Sequence, residues 1–460
     1  MNIFGTKVEK RPFNIAMVCD FFHPNVGGVE GHIYQLAQCL ILRGHKVVVV
    51  THSYGNEKDR RHGVRHMPRG LKIYHIPWKA FFNQVIFITV LGTLPILREI
   101  FIREQIEIVH AHSAFSVLGN ESLMHATALN LHTVMTDHSL FGFADLSSIL
   151  TNQTLEMALL NTDKVICVSH TSKENTVLRA NLKPEKVYVI PNAIDPDSFQ
   201  PDIEARDCSP DKITVVVISR LVYRKGSDLL AAIIPPLCHT YPELNFIIGG
   251  DGPKLLGIEE VRESHQLHSR VRILGSVPHH TVRDVLVQGD IFLNTSLTEA
   301  FCIAIVEAAS CGLPVVTTSV GGIREVLPPH MVHLSAVSAS ELASVLAQTI
   351  EEIKLQKTQR SKDEQEKALW ERHNEVKNFY SWPKVAERTE IVYESAIKCP
   401  TLSFNERISR YYTLGPVFGK FVVFIMFLQF LLLHLLTFLR PRKKIDLVPW
   451  IGQNKYKYTH

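Results

Sequence analysis

Residues 213–252 have the sequence ITVVVISRLVYRKGSDLLAAIIPPLCHTYPELNFIIGGDG. This stretch predicts a buried strand at 213–219, a helix at 228–241 and a second strand at 244–249, because short apolar runs flank a longer amphipathic segment. A strand, a helix and a strand in succession form one unit of a parallel sheet whose faces are covered by helices. The stretch therefore predicts an α/β fold.

The same alternation occurs on both sides of this stretch. Toward the C terminus, further strands are predicted at Val271–Leu274, Ile291–Asn294 and Val315–Thr318. Toward the N terminus, a helix is predicted at Val29–Leu42 and strands at Asn14–Cys19, Lys46–Thr51, Ile106–His110, Thr133–Thr136, Lys164–Val168 and Lys186–Ile190. A Pro- and Asp-rich stretch, residues 195–211, separates the two series. We therefore expect two Rossmann-like, doubly wound domains, with a ligand cleft between the carboxyl ends of their sheets.

The expected domain boundaries follow from this pattern. In chain order we expect an N-terminal Rossmann-like domain (1–195), a linker (196–212), a C-terminal Rossmann-like domain (213–378), a closing helix with a juxtamembrane segment (379–416), a membrane helix (417–439) and a short tail (440–460). The membrane helix and the tail are predicted from hydropathy.

Phe421–Leu439 is a run of 19 residues without a formal charge. At 1.5 Å per residue such a helix is about 28 Å long, enough for the hydrocarbon core of a bilayer. A buried core helix is the alternative, but soluble helices rarely lack a polar face over five turns. The run therefore predicts a single C-terminal membrane span.

The two ends of this helix give conflicting indications about its orientation. Its C-terminal flank carries more basic residues (Arg440, Arg442, Lys443, Lys444) than its N-terminal flank (Arg407, Arg410, Lys420), which favours a cytosolic tail. At the start of the chain, the apolar part of the first strand is too short for a signal peptide. This second observation has more weight, and we expect the bulk of the chain in the cytosol.

Composition excludes several classes of protein. Of the 460 residues, 49 are Lys or Arg and 45 are Asp or Glu, so the net charge is +4 and nucleic acid is not an expected partner. Hydrophobic residues make up 46% of the chain, which excludes a disordered or fibrous protein. The eight cysteines include no Cys-x-x-Cys pair, which excludes a zinc ribbon and a thioredoxin-type motif, and we expect reduced thiols.

A basic loop follows the first strand of the second series. Arg220, Arg224 and Lys225 lie within seven residues at the carboxyl end of this strand, where cations suit a pyrophosphate. A solvated basic loop is an equal alternative. Farther along, Glu299 follows a strand and Glu307 lies eight residues later in a predicted helix. Such carboxylates can accept hydrogen bonds from the vicinal hydroxyls of a sugar, although two glutamates at this spacing are usually ordinary surface residues.

Gly27 and Gly28 follow the first strand and open a helix. Glycines let the backbone approach a ligand, and a helix N terminus offers free N–H groups to a phosphate, but a simple tight turn fits equally well. A nicotinamide-dependent dehydrogenase would need Gly-x-Gly-x-x-Gly and an acidic residue ending the second strand. That strand ends in Thr51-His52-Ser53, so this class is excluded.

Taken together, these motifs resemble those of the family-4 retaining glycosyltransferases of GT-B fold, over roughly residues 13–400. The resemblance rests on four motifs in order: Gly27–Glu30, Ser219–Leu221 with Lys225-Gly226, Gly249–Pro253, and Glu299-x7-Glu307. Within the family, the sequence is most similar to the branch that transfers N-acetylglucosamine from UDP-GlcNAc to phosphatidylinositol, at the start of glycosylphosphatidylinositol-anchor synthesis. The segments that carry this closer likeness are Thr136–Asp145, Ser172–Arg179, Leu221–Gly226 and Leu293–Ala309.

The resemblance implies a role for each candidate residue. The N-terminal domain would hold the acceptor and the C-terminal domain the nucleotide sugar. Arg220 and Lys225 would hold the diphosphate and stabilise it as it leaves. Glu307 would bind the ribose hydroxyls and Glu299 the donor sugar. The residues implied for the first domain are Gly27 and Gly28, whose backbone N–H groups would face the diphosphate, and His138, which would face the sugar near the reacting centre.

Further implications concern metal, partners and location. No Asp-x-Asp motif is placed at the expected cleft, so we expect no divalent metal ion and no other cofactor. Transfer would proceed with retention through an oxocarbenium-like transition state, on the cytosolic face of the endoplasmic reticulum membrane. The partners implied are UDP-GlcNAc, phosphatidylinositol and the other subunits of a membrane complex.

Among the histidines, His138 is the strongest candidate, because it follows a strand inside a matched motif; the chain has 23 histidines, and a lone one is more often structural. Asp137 and His112 are weaker candidates. Gly249–Pro253 predicts a turn near the nucleotide, with packing as the main reason for its glycines.

A basic segment lies before an apolar one. Residues 58–72 carry Lys58, Arg60, Arg61, Arg65, Arg69 and Lys72 against Asp59, and residues 81–97 are strongly apolar. We hypothesise that this region contacts the membrane and borders the lipid site; a mobile loop before a core helix is the alternative. Two other functions stay open: a lipid glycosyltransferase that uses GDP-mannose, and a non-catalytic membrane scaffold.

Overall fold

The computed structural model describes residues 11–25, 27–55, 62–140 and 146–449, with side chains from 151 onward in the last range. The chain divides into two compact units. The first comprises Met1–Cys167, Lys173–Tyr188 and Ala386–His460, and the second comprises Val168–Ser172 and Val189–Val385. The domain boundaries expected from the sequence, and the cleft, stay predictions.

The first unit is built on a nine-stranded sheet with helices between the strands. In chain order its elements are β1 (Asn14–Val18), α1 (Gly28–Leu42), β2 (Lys46–Ser53), β3 (Gly63–Met67), β4 (Leu71–Phe82), β5 (Val85–Ile86), α2 (Leu94–Arg103), β6 (Ile108–His112), α3 (Val117–Ala128), β7 (His132–Asp137), α4 (Leu146–Leu160), β8 (Lys164–Cys167), α5 (His170–Arg179) and β9 (Val187–Val189).

The order of strands in this sheet is β3-β4-β2-β1-β6-β7-β8-β9, with β5 paired to β4. The pairings of β1, β2, β6, β7 and β8 with one another are parallel, as predicted, and β4 joins β2 in parallel. The central strands are buried on both faces, since Ile15, Val49 and Val109 are fully or almost fully inaccessible. This explains why their sequences are near-continuous apolar runs.

The edge of the first sheet was not predicted. Strands β3 and β5 pair antiparallel to β4, and most of β3 is exposed. A half-exposed edge strand needs no continuous apolar run, so the signal used for the other strands was absent there. The apolar stretch 81–97, for which a core helix was one alternative, instead ends β4, forms β5 and a turn, and begins α2 at Leu94.

A buried carboxylate connects strands β2 and β4 near this edge of the sheet. Glu104 is completely inaccessible, and its oxygens lie 2.8 Å from Lys46 Nζ and 2.7 Å from Lys72 Nζ, while the Tyr74 hydroxyl donates a third hydrogen bond. Burial alone would raise the pKa of Glu104, but the bonds from Lys46, Lys72 and Tyr74 hold this pKa below its usual range. The lysine at position 72, counted in the basic segment, is thus committed to an internal ion pair.

The second unit contains a six-stranded sheet in which every pairing is parallel. Its elements are β10 (Ile213–Ile218), α6 (Ser227–Thr240), β11 (Leu244–Gly249), α7 (Leu255–Ser264), β12 (Val271–Gly275), α8 (Val282–Leu286), β13 (Ile291–Asn294), α9 (Ile303–Ser310), β14 (Val315–Thr318), β15 (Val332–Ser335), α10 (Ala339–Gln359) and α11 (Lys362–Phe379). The strand order is β12-β11-β10-β13-β14-β15. All five predicted strands are confirmed, and β15 was missed.

In the described residues after α11, up to position 449, the α-helices are α12 (Trp382–Ile397), α13 (Phe404–Tyr412) and α14 (Phe418–Leu439). Among the residues that the structure describes, α14 alone is long and apolar enough to cross a membrane, with a mean hydropathy of 2.5 over an 18-residue window. Only 22% of that window is buried, so α14 is not the core helix of a soluble domain. The segment expected at 417–439 is thus a helix, Phe418–Leu439, and its crossing of a membrane stays a prediction.

Candidate active site

The candidate residues of the second unit lie on loops that follow the carboxyl ends of its parallel strands. Arg220 and Lys225 follow β10, and Glu299 follows β13, which is the neighbour of β10 in the sheet. Parallel strands bring the loops after their carboxyl ends to one edge. The sequence prediction that these residues share one edge is therefore correct for the second unit.

Gly226 brings two of these loops into direct contact. Its φ is +67°, and a Cβ atom placed on it would lie 1.8 Å from the Thr295 carbonyl oxygen. The same contact is reinforced by the Thr295 hydroxyl, which donates to the Lys225 carbonyl at 2.9 Å, and by the Leu297 N–H, which donates to the Arg224 carbonyl at 2.9 Å. Only glycine fits at this position, because both its backbone conformation and its surroundings exclude a side chain.

The close approach places Lys225 against Glu299. The Lys225 ammonium group forms an ion pair with Glu299 Oε1, and the Ser296 hydroxyl lies 2.9 Å from the same oxygen. Both charged side chains are largely buried, at 18% and 13% exposed. The resemblance implies that Lys225 binds the diphosphate and Glu299 the sugar. In this structure the two side chains neutralise each other instead. Arg220, which begins the same loop, is exposed.

Glu307 has a partner that the sequence analysis missed. It lies on α9 and is 6% exposed, and its Oε1 is 3.0 Å from Nε2 of His279. This contact raises the pKa of His279, because the carboxylate favours the imidazolium form. His279 follows β12 on the same sheet edge, and its position after a strand in Pro278-His279-His280 was the available sequence signal.

The glycines of the Gly249–Pro253 turn serve packing, as predicted. A Cβ on Gly250 would lie 1.8 Å from the Ser219 carbonyl oxygen, and one on Gly252 would lie 2.4 Å from that of Leu221. The turn therefore packs its backbone directly onto the loop that carries Arg220.

In the first unit, His138 belongs to a cluster of histidines. Its Nε2 lies 3.5 Å from His112 Nδ1, and its ring centroid is 4.7 Å from that of His32 on α1. His110, next along β6, packs against His112, with ring centroids 4.2 Å apart. His112 was a weaker candidate from the sequence, and the structure places it beside His138. His32 was not a candidate from the sequence.

Two members of the cluster, His112 and His138, are uncharged at neutral pH. Burial, together with the neighbouring histidines, holds the pKa values of His112 and His138 well below the usual range. His138 can therefore donate or accept a hydrogen bond but supplies no positive charge. One nitrogen each of His32, His112 and His138 lies within 4.8 Å of the others, so the three side chains are close enough to share a metal ion.

Asp137 is held by contacts of its own. It is completely buried, accepts hydrogen bonds from the Ser139 N–H and the Thr176 hydroxyl, both at 3.0 Å, and lies 4.0 Å from the Arg179 guanidinium. These partners occupy both carboxylate oxygens, which indicates that Asp137 fixes the loop bearing His138.

The Gly27–Gly28 turn opens α1, a helix of 15 residues. Gly27 is extended, a conformation open to any residue, but a Cβ on it would lie 2.5 Å from Glu30 Oε2. A carboxylate thus lies at the helix N terminus, where the resemblance implies a diphosphate.

Of the basic segment, Lys58, Arg60 and Arg61 lie outside the described residues, as does Asp59. Arg65 on β3 and Arg69 in the following turn are exposed. The segment therefore presents two described cations to solvent.

Comparison with known proteins agrees with this architecture. A family model described as glycosyl transferases group 1 matches residues 199–366, and one described as PIGA (GPI anchor biosynthesis) matches residues 52–145. Two similar solved structures are sucrose-phosphate synthase from Thermosynechococcus elongatus (TM-score 0.65, 20% identity, covering 84% of this chain and 98% of that one) and WaaG, a glycosyltransferase of lipopolysaccharide biosynthesis (TM-score 0.60, 16% identity, covering 82% and 99%). The fold is therefore that of a GT-B glycosyltransferase.

The relatives identify the family more narrowly. A phosphatidylinositol N-acetylglucosaminyltransferase subunit from Homo sapiens is 54% identical over 95% of this chain and 87% of the human protein. The Arabidopsis thaliana protein of the same name is 52% identical over 96% and 95%. The chain belongs to the PIGA family of phosphatidylinositol N-acetylglucosaminyltransferase subunits.

Proposed function

We propose that this chain transfers N-acetylglucosamine from UDP-GlcNAc to phosphatidylinositol with retention of configuration, giving GlcNAc-phosphatidylinositol, the first step of glycosylphosphatidylinositol-anchor biosynthesis. The observation that carries the proposal is the high identity over nearly the full length of relatives that bear this activity in their name. The side chains at the carboxyl edge of the second sheet support it, because they supply cations for a diphosphate and carboxylates for sugar hydroxyls.

The leaving group of this reaction is UDP, whose diphosphate gains negative charge as the bond to the sugar breaks. Fixed cations and dipoles at that place stabilise the transition state more than the ground state. We assign this role to Arg220 and Lys225. Since Lys225 is paired with Glu299 in the structure, donor binding exchanges the partner of Lys225 from carboxylate to diphosphate and frees Glu299 for the donor sugar.

Glu307 is assigned to the ribose hydroxyls, and His279 is then the residue that positions it. Gly27 and Gly28 are assigned to the diphosphate through their N–H groups.

His138 is assigned to the donor sugar near the reacting carbon. Because its imidazole is neutral, it acts through a hydrogen bond rather than as a cation. His138→Ala should reduce transfer by about a hundredfold or more, whereas transfer by the parent enzyme should show no titration from His138 between pH 6 and 8.

We extend the proposal to location and partners. The relatives are named as subunits, and α14 is long and apolar enough to hold the chain in a membrane. We place the chain in the endoplasmic reticulum membrane, with its two α/β units on the cytosolic face and with other subunits of a GlcNAc-transferase complex. The single membrane crossing expected from hydropathy stays a prediction. It is tested by determining on which side of the membrane each flank of α14 lies.

Transfer of labelled GlcNAc from UDP-GlcNAc to phosphatidylinositol tests the proposal, in microsomes that lack the endogenous enzyme and contain this chain. Lys225→Ala and Glu307→Gln should each lose about a hundredfold or more. Lys362→Ala is a matched control, because Lys362 pairs with Glu204 on an exposed surface; it should retain full activity. No GlcNAc-phosphatidylinositol from the intact, assembled complex would contradict the proposal.

Two alternatives from the sequence are separated by the same assay. A mannosyltransferase would form product from labelled GDP-mannose and not from UDP-GlcNAc. A scaffold would support complex assembly equally well with and without Lys225 and Glu307. The presence of the full set Arg220, Lys225, Glu299 and Glu307 favours the catalytic function over the scaffold, which has no need of it.

A further inference from the structure

The histidine cluster of the first unit lies on elements that are neighbours in the fold. His112 is the last residue of β6, and His138 directly follows β7, which pairs with β6 in parallel. His32 lies in the second turn of α1, the helix that follows β1, and β1 is the other neighbour of β6 in the sheet. The carboxyl ends of parallel strands meet at one edge, so the fold itself brings the three imidazoles together.

Hydrogen bonding distinguishes His112 from an ordinary structural histidine. His110, two residues earlier on the same strand, has both ring nitrogens hydrogen-bonded, at 2.8 Å to the Tyr393 hydroxyl and at 2.7 Å to the Thr136 hydroxyl. His112 is also completely inaccessible, but its Nε2 has no hydrogen-bond partner among the residues that the structure describes. A buried polar atom without a partner is rare and unfavourable. Hydrogen bonding alone therefore does not account for this histidine.

The distance between His112 and His138 suits two ligands of one metal ion. His112 Nδ1 lies 3.5 Å from His138 Nε2, which is beyond the roughly 2.7–3.2 Å of protein hydrogen bonds donated by nitrogen. Two nitrogens bound at about 2.0–2.1 Å to a tetrahedral zinc ion are about 3.3 Å apart. The two strands thus hold these nitrogens close to the spacing that coordination requires.

His32 supplies the third nitrogen. Its ring centroid is 4.7 Å from that of His138 and 5.6 Å from that of His112, and one nitrogen of each side chain lies within 4.8 Å of the others. Coordination would shorten the widest of these separations by at most about 1.5 Å, which rotation of an imidazole about its two side-chain torsions can supply. His32 is 4% exposed, so the packing around it keeps its ring near the other two.

We propose that His32, His112 and His138 bind a divalent transition-metal ion such as Zn²⁺, and that the bound ion excludes the sugar donor. Imidazole nitrogen suits Zn²⁺, Cu²⁺, Ni²⁺ and Fe²⁺, whereas Mg²⁺, Ca²⁺ and Mn²⁺ prefer oxygen ligands. Three nitrogen ligands leave one position of a tetrahedral ion open. This site differs in kind from a metal ion held with the diphosphate by an Asp-x-Asp motif, which the sequence analysis did not expect.

The exclusion of the donor rests on the function proposed above for His138. In that function the imidazole forms a hydrogen bond with the donor sugar near the reacting carbon. A metal ion takes one nitrogen of His138 as a ligand and fixes the ring in the orientation of the metal site. His138 cannot then turn toward the sugar, so the ion should inhibit transfer in competition with UDP-GlcNAc.

Cobalt binding tests the site directly, with the full chain purified in its complex and freed of metal ions by chelation. Co²⁺ in a tetrahedral site absorbs visible light much more strongly than octahedral, hydrated Co²⁺, so the geometry can be read from the spectrum. We expect this absorption in the parent, and we expect added Zn²⁺ to abolish it by displacing Co²⁺.

Two variants assign the cobalt spectrum to the cluster. His32→Gln removes one ligand and keeps a polar side chain of similar size, and it should lose most of the absorption. His330→Gln is the matched control, because His330 is an exposed histidine paired with Glu375; it should keep the parent spectrum. Equal cobalt spectra of the parent and His32→Gln would overturn the proposal.

X-ray absorption by the zinc-loaded parent complex is a second test, which needs no variant. One equivalent of Zn²⁺ should show nitrogen neighbours at about 2.0–2.1 Å, with the scattering pattern of imidazole rings, and no sulfur at about 2.3 Å. A sulfur shell would place the ion on cysteines and would contradict the site.

Competition with the donor is measured by transfer of GlcNAc at a buffered concentration of free Zn²⁺. At ten times its dissociation constant, Zn²⁺ should raise the apparent KM for UDP-GlcNAc about tenfold and leave kcat unchanged, whereas the same concentration of Mg²⁺ should change neither. His32→Gln should resist Zn²⁺ relative to its own metal-free activity, and His330→Gln should be as sensitive as the parent. Equal inhibition of all three chains would show that Zn²⁺ acts elsewhere.

Metal binding and sugar transfer are measured separately, so the metal site and the proposed function can fail separately. Cobalt binding without competition would refute the exclusion of the donor and the position of His138 beside the sugar. If the complex transferred no GlcNAc at all, the cobalt spectrum would still decide whether the three histidines bind a metal ion.

Discussion

Gly226→Ala tests whether the two loops of the second unit must touch. A Cβ at this position would lie 1.8 Å from the Thr295 carbonyl oxygen, whereas real Cβ contacts are essentially never below 3.0 Å. The two loops must therefore separate by about 1.2 Å. This shift acts on Lys225, the residue before the glycine, and a misplacement of about 1 Å in a catalytic group costs on the order of a hundredfold in rate.

Gly275→Ala is a control with the same backbone strain. Gly275 also has a φ of +67°, but no atom lies within 4 Å of its Cβ position. Both variants bear the left-handed conformation, which costs an alanine about 1–2 kcal/mol, and only Gly226→Ala bears the clash. The difference between them isolates the loop contact.

The assay is transfer of GlcNAc to phosphatidylinositol in microsomes, normalised to the amount of assembled chain. We expect Gly226→Ala to lose about a hundredfold in kcat/KM, and Gly275→Ala to remain within a few-fold of the parent. Equal activities of the two variants, at equal abundance, would refute the argument that the contact at Thr295 positions Lys225.

Three further predictions concern charged groups. Glu104→Gln should lower the free energy of unfolding by about 3 kcal/mol, because the partly buried ammonium groups of Lys46 and Lys72 lose their carboxylate partner, whereas Glu204→Gln on the surface should have almost no effect. Since the pKa of Glu104 is lowered in the fold, its contribution is present above pH about 4.3 and should disappear in thermal melts as the pH falls below that value. His279→Gln should flatten the pH dependence of the KM for UDP-GlcNAc between pH 6 and 8, because a protonated His279, whose pKa is raised, holds Glu307 more tightly at the acidic end; an unchanged profile would contradict this positioning role. Glu299→Gln should tighten binding of UDP several-fold in a competition assay while transfer falls at least tenfold, because it frees Lys225 from its ion pair; weaker UDP binding would show instead that Glu299 holds Lys225 in place.

Sequence reasoning was successful where one strong physical signal decides the outcome. The buried parallel strands were found because a strand covered on both faces must be apolar along its length, as at Val215–Val217. Lys225 and Glu299 were placed on one sheet edge because both follow parallel strands. Their ion pair was not predictable, because it depends on the close approach at Gly226, which is a property of two loops far apart in sequence.

Other features have a weak local signature or none. His32 and His279 became candidates only through their neighbours, His138 and Glu307, and no spacing in the sequence connects the members of either pair. The hydropathy of α14 was unmistakable, but the hydrogen bond from Gln429 to His125, which fixes its inner face, joins residues 304 positions apart. Hydrophobic periodicity predicts which face of a segment is buried, but it does not identify the residues that cover this face.

The charges around Lys225 bear on the proposed binding of the diphosphate. Within the second unit, Lys225 is paired with Glu299, whereas Glu307 is paired with His279, whose pKa this contact raises. Under the proposed roles, Lys225 binds a diphosphate only after it leaves Glu299, so donor binding includes an exchange of its partner. Such an exchange makes the cation available in the donor complex; it accelerates transfer to the extent that the ammonium group interacts more strongly with the charge developing on the leaving diphosphate than with the bound donor.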